Sequence, residues 1–209
     1  MRLVAVLLAC CALLIPMSAW ASGINITNTG GSVTFSDSGI TSYGSELKSW
    51  NNIVAGAGHS LGTVSFGTGA WTSGGIWTGG TLSATNSYFD VIGVGQWAKK
   101  LTGQNKNPIT LFTGSFVGTI DWTIDSHKGD KYICTLSGNI EGTLYTGRTV
   151  TGSTSQTIWA FTDQEPNDHK GSLHMGSGHI NTPEPSTLGL LGLGLLLLAG
   201  SVRGKIFGL

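Results

Sequence analysis

FVGTIDWTID, residues 116 to 125, alternates between two kinds of side chain. Phe116, Gly118, Ile120, Trp122 and Ile124 fall on one side of an extended chain, and Val117, Thr119, Asp121, Thr123 and Asp125 on the other. An apolar face and a polar face at a period of two make a half-buried strand. SHKGD, residues 126 to 130, then supplies a glycine-containing turn, and KYICTLSGNIEGTLY, residues 131 to 145, resumes with Tyr132, Cys134, Leu136, Ile140 and Leu144 on one face. TGR turns the chain again, and TVTGSTSQTIWAF, residues 149 to 161, completes a predicted three-stranded antiparallel meander. Trp122 is expected in its core beside Ile120 and Ile124. Cys134 falls on the apolar face and reads as a small core residue rather than a reactive thiol.

Upstream, the strands are shorter and broken by Gly, Ser and Asn: INITN (24–28), GSVTFS (31–36), LGTVSFGTG (61–69), GGTLSATN (79–86) and SYFDVIGVG (87–95). Gly accounts for 33 of the 209 residues and charged residues for only 11%, too few for the surface helices of an α or α/β domain. Thr suits a pleated surface, and Gly disfavours helix. The expected class is therefore all-β, an antiparallel sandwich or barrel-like domain over residues 22–182, and its length supports one core. TDQEPNDHKGSLHMGSGHIN, residues 162 to 181, is assigned to a polar C-terminal loop or stalk of that domain. Residues 22–182 hold eight Lys and Arg against ten Asp and Glu, a net of −2. This balance does not attract nucleic acid, which is excluded as a partner.

Both ends of the chain are oily. Arg2, the apolar run Leu3 to Ile15, Pro16 and the small-residue pattern Ala19-Trp20-Ala21 predict a secretory signal peptide, residues 1–21, cut before Ser22. The run is shorter than the roughly 20 apolar residues of a membrane span. Leu7-Leu8-Ala9-Cys10 resembles a lipoprotein lipobox, but the apolar segment ahead of it is too short. Removal of Cys10 and Cys11 leaves Cys134 alone, so the exported chain has no internal disulfide and depends on its core. At the far end, residues 186–202 form an apolar segment marginal for spanning a bilayer of about 30 Å. Arg203 and Lys205 follow it, where they would hold the extreme C-terminus in the cytoplasm.

The order Pro183-Glu184-Pro185-Ser186-Thr187, a Leu- and Gly-rich helix and a basic end resembles the PEP-CTERM sorting signal of Gram-negative bacteria. The resemblance implies recognition through Pro183, Glu184, Pro185, Arg203 and Lys205 by an exosortase, a membrane cysteine protease that cuts near the Pro-Glu-Pro step. It further implies transient residence in the inner membrane over residues 183–209, then delivery to the cell surface or to exopolysaccharide. The preceding domain, through SLGTVSFGTGAWTSGGIWTGGTLSA and LFTGSFVGTIDWTI, resembles a Gly/Thr-rich β domain of secreted bacterial proteins, a group without an assigned activity.

Three constellations suggest chemistry. Gly58-His59-Ser60-Leu61-Gly62 matches the G-x-S-x-G elbow of lipases, with Asp163 or Asp168 and then His174 or His179 in hydrolase order. That motif needs a strand turning sharply into a helix, and TVSFGTGAWTSGG is no helix. His169, His174 and His179 recur near Asp163, Glu165 and Asp168, but an interval of five fits neither a helical face nor one side of a strand, so no metal or other cofactor is expected. Trp71-Thr72-Ser73-Gly74-Gly75 and Trp77-Thr78-Gly79-Gly80 form a small tandem repeat whose indoles, if exposed, suit stacking on sugar rings, and whose alternative is core packing. The function expected is a non-enzymatic surface or matrix protein associated with exopolysaccharide. A serine hydrolase using Ser60 and a carbohydrate-binding module using Trp71 and Trp77 are the alternatives.

Overall fold

The computed structural model describes residues 24–128, 131–161 and 171–181, the last segment as backbone. Its strands are β1 (Asn25–Thr29), β2 (Ser32–Ser36), β3 (Gly39–Trp50), β4 (Ile53–Val54), β5 (Gly62–Gly67), β6 (Trp71–Gly75), β7 (Gly79–Ser83) and β8 (Tyr88–Gly93), then β9 (Ile109–Lys128), β10 (Lys131–Leu144), β11 (Thr149–Phe161) and β12 (Gly171–Asn181). A two-turn helix, α1 (Gln96–Thr102), separates β8 from β9. Residues Ile24–Thr182 form one compact unit. The predicted signal peptide and the sorting segment with its membrane helix lie outside the described residues.

The strands make one curled antiparallel sheet, the barrel-like form of the expected all-β class. Several strands continue one another. β1 and β2 lie end to end along β3, Ile26 opposite Trp50 and Phe35 opposite Ile40, with only Gly30 and Gly31 between them. β5 and β6 likewise run out together, and β7 and β8 run back beside them. β9 takes β8 against its first half and β7 against its second. The meander β9–β10–β11 has the predicted order, and β12 pairs with β11 on one side and with β1 and β2 on the other. The pairing path therefore returns to its start. Closure removes most open edges, which are sites of unwanted pairing.

Two sequence expectations are corrected here. Residues 171–181, assigned to a loop or stalk, are strand β12. Its position between two other strands is set by backbone pairing on both sides, which a polar, glycine-rich composition conceals. Gly118, placed with Phe116 and Ile120 on the inner side, is exposed. Asp121 faces Ser137 while Val117 faces Asn139, so β9 carries two more residues than β10 across that interval. Gly118, at φ 75°, takes up the excess. Because the surplus is even, Phe116, Ile120 and Trp122 still all point inward.

Inside, two walls differ in chemistry. Phe66, Phe89, Phe112 and Phe116 pack edge to face and stacked, with centroids 5.8 to 6.4 Å apart. Cys134, Leu136, Ile140 and Ile158 continue this apolar wall. Beside β1, β3 and β11 a buried polar cluster sits among Ile26, Leu47 and Trp50: the Asn28 side-chain amide donates to Ser45 Oγ at 2.7 Å and to Gln156 Oε1 at 3.1 Å, and Gln156 Nε2 donates to Thr154 Oγ1 at 2.7 Å. All four side chains are buried. Gly178 of β12 makes the room, since a Cβ there would stand 1.8 Å from Gln156 Oε1. Helix α1 covers one end, with Ala98 fully buried and Trp97 Nε1 donating to the Leu61 carbonyl at 2.9 Å.

Candidate functional site

The outer surface is built by the same alternation that fills the core. Every second residue of β9, β10 and β11 faces out, and most of these are Ser, Thr, Asn or Asp. Register then aligns them in rows across the strands: Thr123–Thr135–Thr157, Asp121–Ser137–Ser155 and Thr113–Thr143–Thr149. Neighbours within a row repeat at the strand spacing of about 4.8 Å. Carboxylates accept from these hydroxyls: Thr135 Oγ1 donates to Asp125 Oδ2, and Thr113 Oγ1 to Asp90 Oδ1, each at 2.6 Å. Beside the Gly118 bulge an open groove of about 470 Å³ is lined by Thr119, Asp121, Ser137, Asn139, Ser153 and Ser155. Its lining is uncharged except for Asp121.

The tandem tryptophans lie elsewhere, at the end opposite α1. Trp71 is half-buried, donates from Nε1 to the Ser36 carbonyl at 3.2 Å and meets Trp122 edge to face at 6.4 Å. Trp77 packs between Phe35 and Tyr132. Its indole N–H is buried without an acceptor among the described residues. Trp122 is fully buried and donates to the Ile76 carbonyl at 2.8 Å, fastening the β6–β7 turn over the barrel end. Both tandem indoles therefore serve packing first.

Two exposed aromatics were not picked out by the sequence reading. Trp159 is 38% exposed and carries Lys131 Nζ 3.7 Å above its ring, a cation–π arrangement. Its outward direction was legible, because Trp159 stands between Ile158 and Ala160 in an alternating strand. Tyr43 is 56% exposed and sits beside Gly44 in an irregular part of β3. Near it, burial first and then the Tyr43 hydroxyl and Asp90 push the Tyr88 phenol up to about 12. Burial likewise pushes the Cys134 thiol up to about 12, with a smaller contribution from Asp125.

Ser60 is placed in the loop ahead of β5, and a strand follows it where the hydrolase elbow needs a helix. Its hydroxyl donates to the Gly62 carbonyl at 2.5 Å and accepts from the Gly62 N–H at 3.1 Å, so it closes a local turn. Asp163, Glu165, Asp168 and His169 lie outside the described residues, and His174 and His179 are on β12, of which only the backbone is described. Among the described residues no three His, Cys, Asp or Glu gather as metal ligands, and no helix is long and apolar enough to cross a membrane.

Fold and surface thus define a curled all-β domain with a sparsely charged, hydroxyl-bearing exterior, carried ahead of an apolar C-terminal segment. Residues 181–204 of that segment match the PEP-CTERM protein-sorting motif. The matched stretch contains Pro183, Glu184, Pro185 and Arg203, with Lys205 one residue beyond it, and it supports a secreted protein processed by an exosortase. No curated protein and no solved structure matches the chain.

Proposed function

We propose that this chain is a non-enzymatic surface or extracellular-matrix protein. It crosses the inner membrane behind the signal peptide 1–21, is held there transiently by the helix 186–202, and is cut near Pro183-Glu184-Pro185. Thereafter it associates with exopolysaccharide. The sorting match over residues 181–204 carries the delivery part of this reading. The rows of outward Ser, Thr, Asn and Asp on β9, β10 and β11 support the association, because such groups exchange hydrogen bonds with a polyhydroxylated polymer without the desolvation cost of paired charges.

Fractionation of the native host with and without its exosortase tests it. The wild-type protein should be found in the surface or matrix fraction with its C-terminus near residue 183, and polysaccharide hydrolase treatment of washed matrix should release it. Without exosortase, or with Pro183, Glu184 and Pro185 replaced by Ala, it should stay in the membrane at full length. A surface protein still ending at Leu209 would overturn the proposal.

A further inference from the structure

Tyr43 is the most exposed of the Tyr, Trp and Phe side chains among the described residues. β3 carries one residue more than β5 between Ser42 and Ser45, so Tyr43 and Gly44 form a bulge. Gly44 has φ 68°, a conformation that a side chain would strain. Opposite it, Gly31 brings its backbone so close that a Cβ would stand 2.7 Å from the Tyr43 carbonyl oxygen. Tyr43 faces out by the alternation of inward Ile40 and Ser42, and the bulge that follows returns Ser45 to the inside.

The surface beside it seats a second phenol. Tyr88, outward on β8, lies across Gly67 of β5, where a Cβ would meet its ring at 2.4 Å. The next outward row is Ser65–Asp90–Thr113. Asp90 Oδ1 accepts from Thr113, and its Oδ2 accepts from nothing among the described residues. No lysine or arginine belongs to this patch, and its single carboxylate repels anions. Two adjacent phenols, an acceptor oxygen and flanking hydroxyls match the two sides of a pyranose ring: an apolar C–H face that stacks on an aromatic, and equatorial hydroxyls that donate to a carboxylate.

We propose that Tyr43 and Tyr88 are a stacking platform for a neutral pyranose segment of a polysaccharide, with Asp90 accepting from its hydroxyls. The inference rests on the matrix-associated reading and gives it a site and a ligand class.

The test uses the protein secreted by its native host, run in native gels that contain hydroxyethyl cellulose, dextran, the purified matrix polysaccharide of that host, or anionic alginate. Retardation is expected in at least one of the three non-alginate gels and not in alginate. Tyr43→Ala should weaken it about tenfold, the scale of one lost aromatic contact. Tyr43→Phe keeps the ring and should stay within about twofold of wild type by the same scale. Asp90→Asn should fall between them, and all three variants should melt with the wild type. Wild-type protein that none of the three gels retards would overturn the platform, including the case in which Tyr43 docks on another protein. So would a Tyr43→Ala protein retarded as strongly as wild type. In the host the two readings separate cleanly: wild type missing from the matrix fraction defeats the matrix reading, whereas Tyr43→Ala retained there as well as wild type defeats only the platform.

Discussion

The two interior walls of the barrel are held together by different forces. The wall made by β5, β8, β9 and β10 is an aromatic and aliphatic stack, with Phe66, Phe89 and Trp122 almost fully removed from solvent. The wall made by β1, β3, β11 and β12 is mixed: beside Ile26, Leu47 and Trp50 it buries Asn28, Ser45, Thr154 and Gln156 around Gly178. Burial of the first wall contributes stability directly, at about 25 cal/mol per Å² of apolar surface. Burial of the polar cluster contributes little net energy, but its groups are costly to leave unpaired, so it fixes register more than it adds strength. Both walls bury apolar surface, and the polar cluster in the second adds a specification of which strands meet.

Substitutions should separate the two walls. Trp122→Ala removes a fully buried indole and its bond to Ile76, and should cost about 3 to 5 kcal/mol in urea unfolding. A loss under 1 kcal/mol would place the stabilising stack elsewhere. Gln156→Leu keeps the volume but removes the acceptor of one Asn28 amide bond and the donor to the Thr154 hydroxyl, two buried bonds, and should cost about 1 to 3 kcal/mol. A neutral result there would mean that the polar wall is no more specific than an apolar one. Raising the pH should then wear on both sides of the sheet. The Cys134 thiol titrates at about 12 in the fold against 9.0 ordinarily, and the Tyr88 phenol at about 12 against 10.0. Above pH 9 the unfolded chain therefore binds fewer protons than the folded one, so stability is complete below that point and declines toward pH 12. Melting temperatures across that window should fall less steeply for Cys134→Ala and for Tyr88→Phe. Smallest of all, Thr123→Ala on the outer face beside Trp122 should change stability by under about 0.5 kcal/mol. Equal melting of the Trp122 and Thr123 variants would mean that the strand register is wrong.

The apolar wall was far easier to read in the sequence than the polar one. Residues 116–145 announce their strands because Phe116, Ile120, Trp122, Cys134, Leu136 and Ile140 keep a period of two on both sides of a glycine turn. β3 went unread, since its buried positions run 40, 42, 45, 47 and 50. The bulge at Tyr43–Gly44 and a second irregularity near Lys48, where Asn28 pairs with Leu47 after Thr27 has paired with Ser49, each break the phase. β12 was hidden because its glycine faces polar side chains, leaving no apolar alternation at that point. Tyr43 was hidden together with β3, because its outward place follows from inward Ile40 and Ser42 only once the strand is recognised. Trp71 and Trp77 drew notice as a repeat, and repetition does not report burial. The sorting motif at 181–204 was legible, because its signature lies in linear order rather than in folding.

The closure of the sheet by β12 also sets a timetable. Asn25, near the start of the domain, pairs with Asn181, near its end, and contacts so distant along a chain form late. In the proposed export behind the signal peptide, the first strand would emerge without its β12 partner and wait for almost the whole domain to follow. The segment that completes the ring ends two residues before Pro183. On the proposed export route, arrest by the apolar tail would come just as the last strand becomes available, and a pause at the membrane would double as time to finish folding.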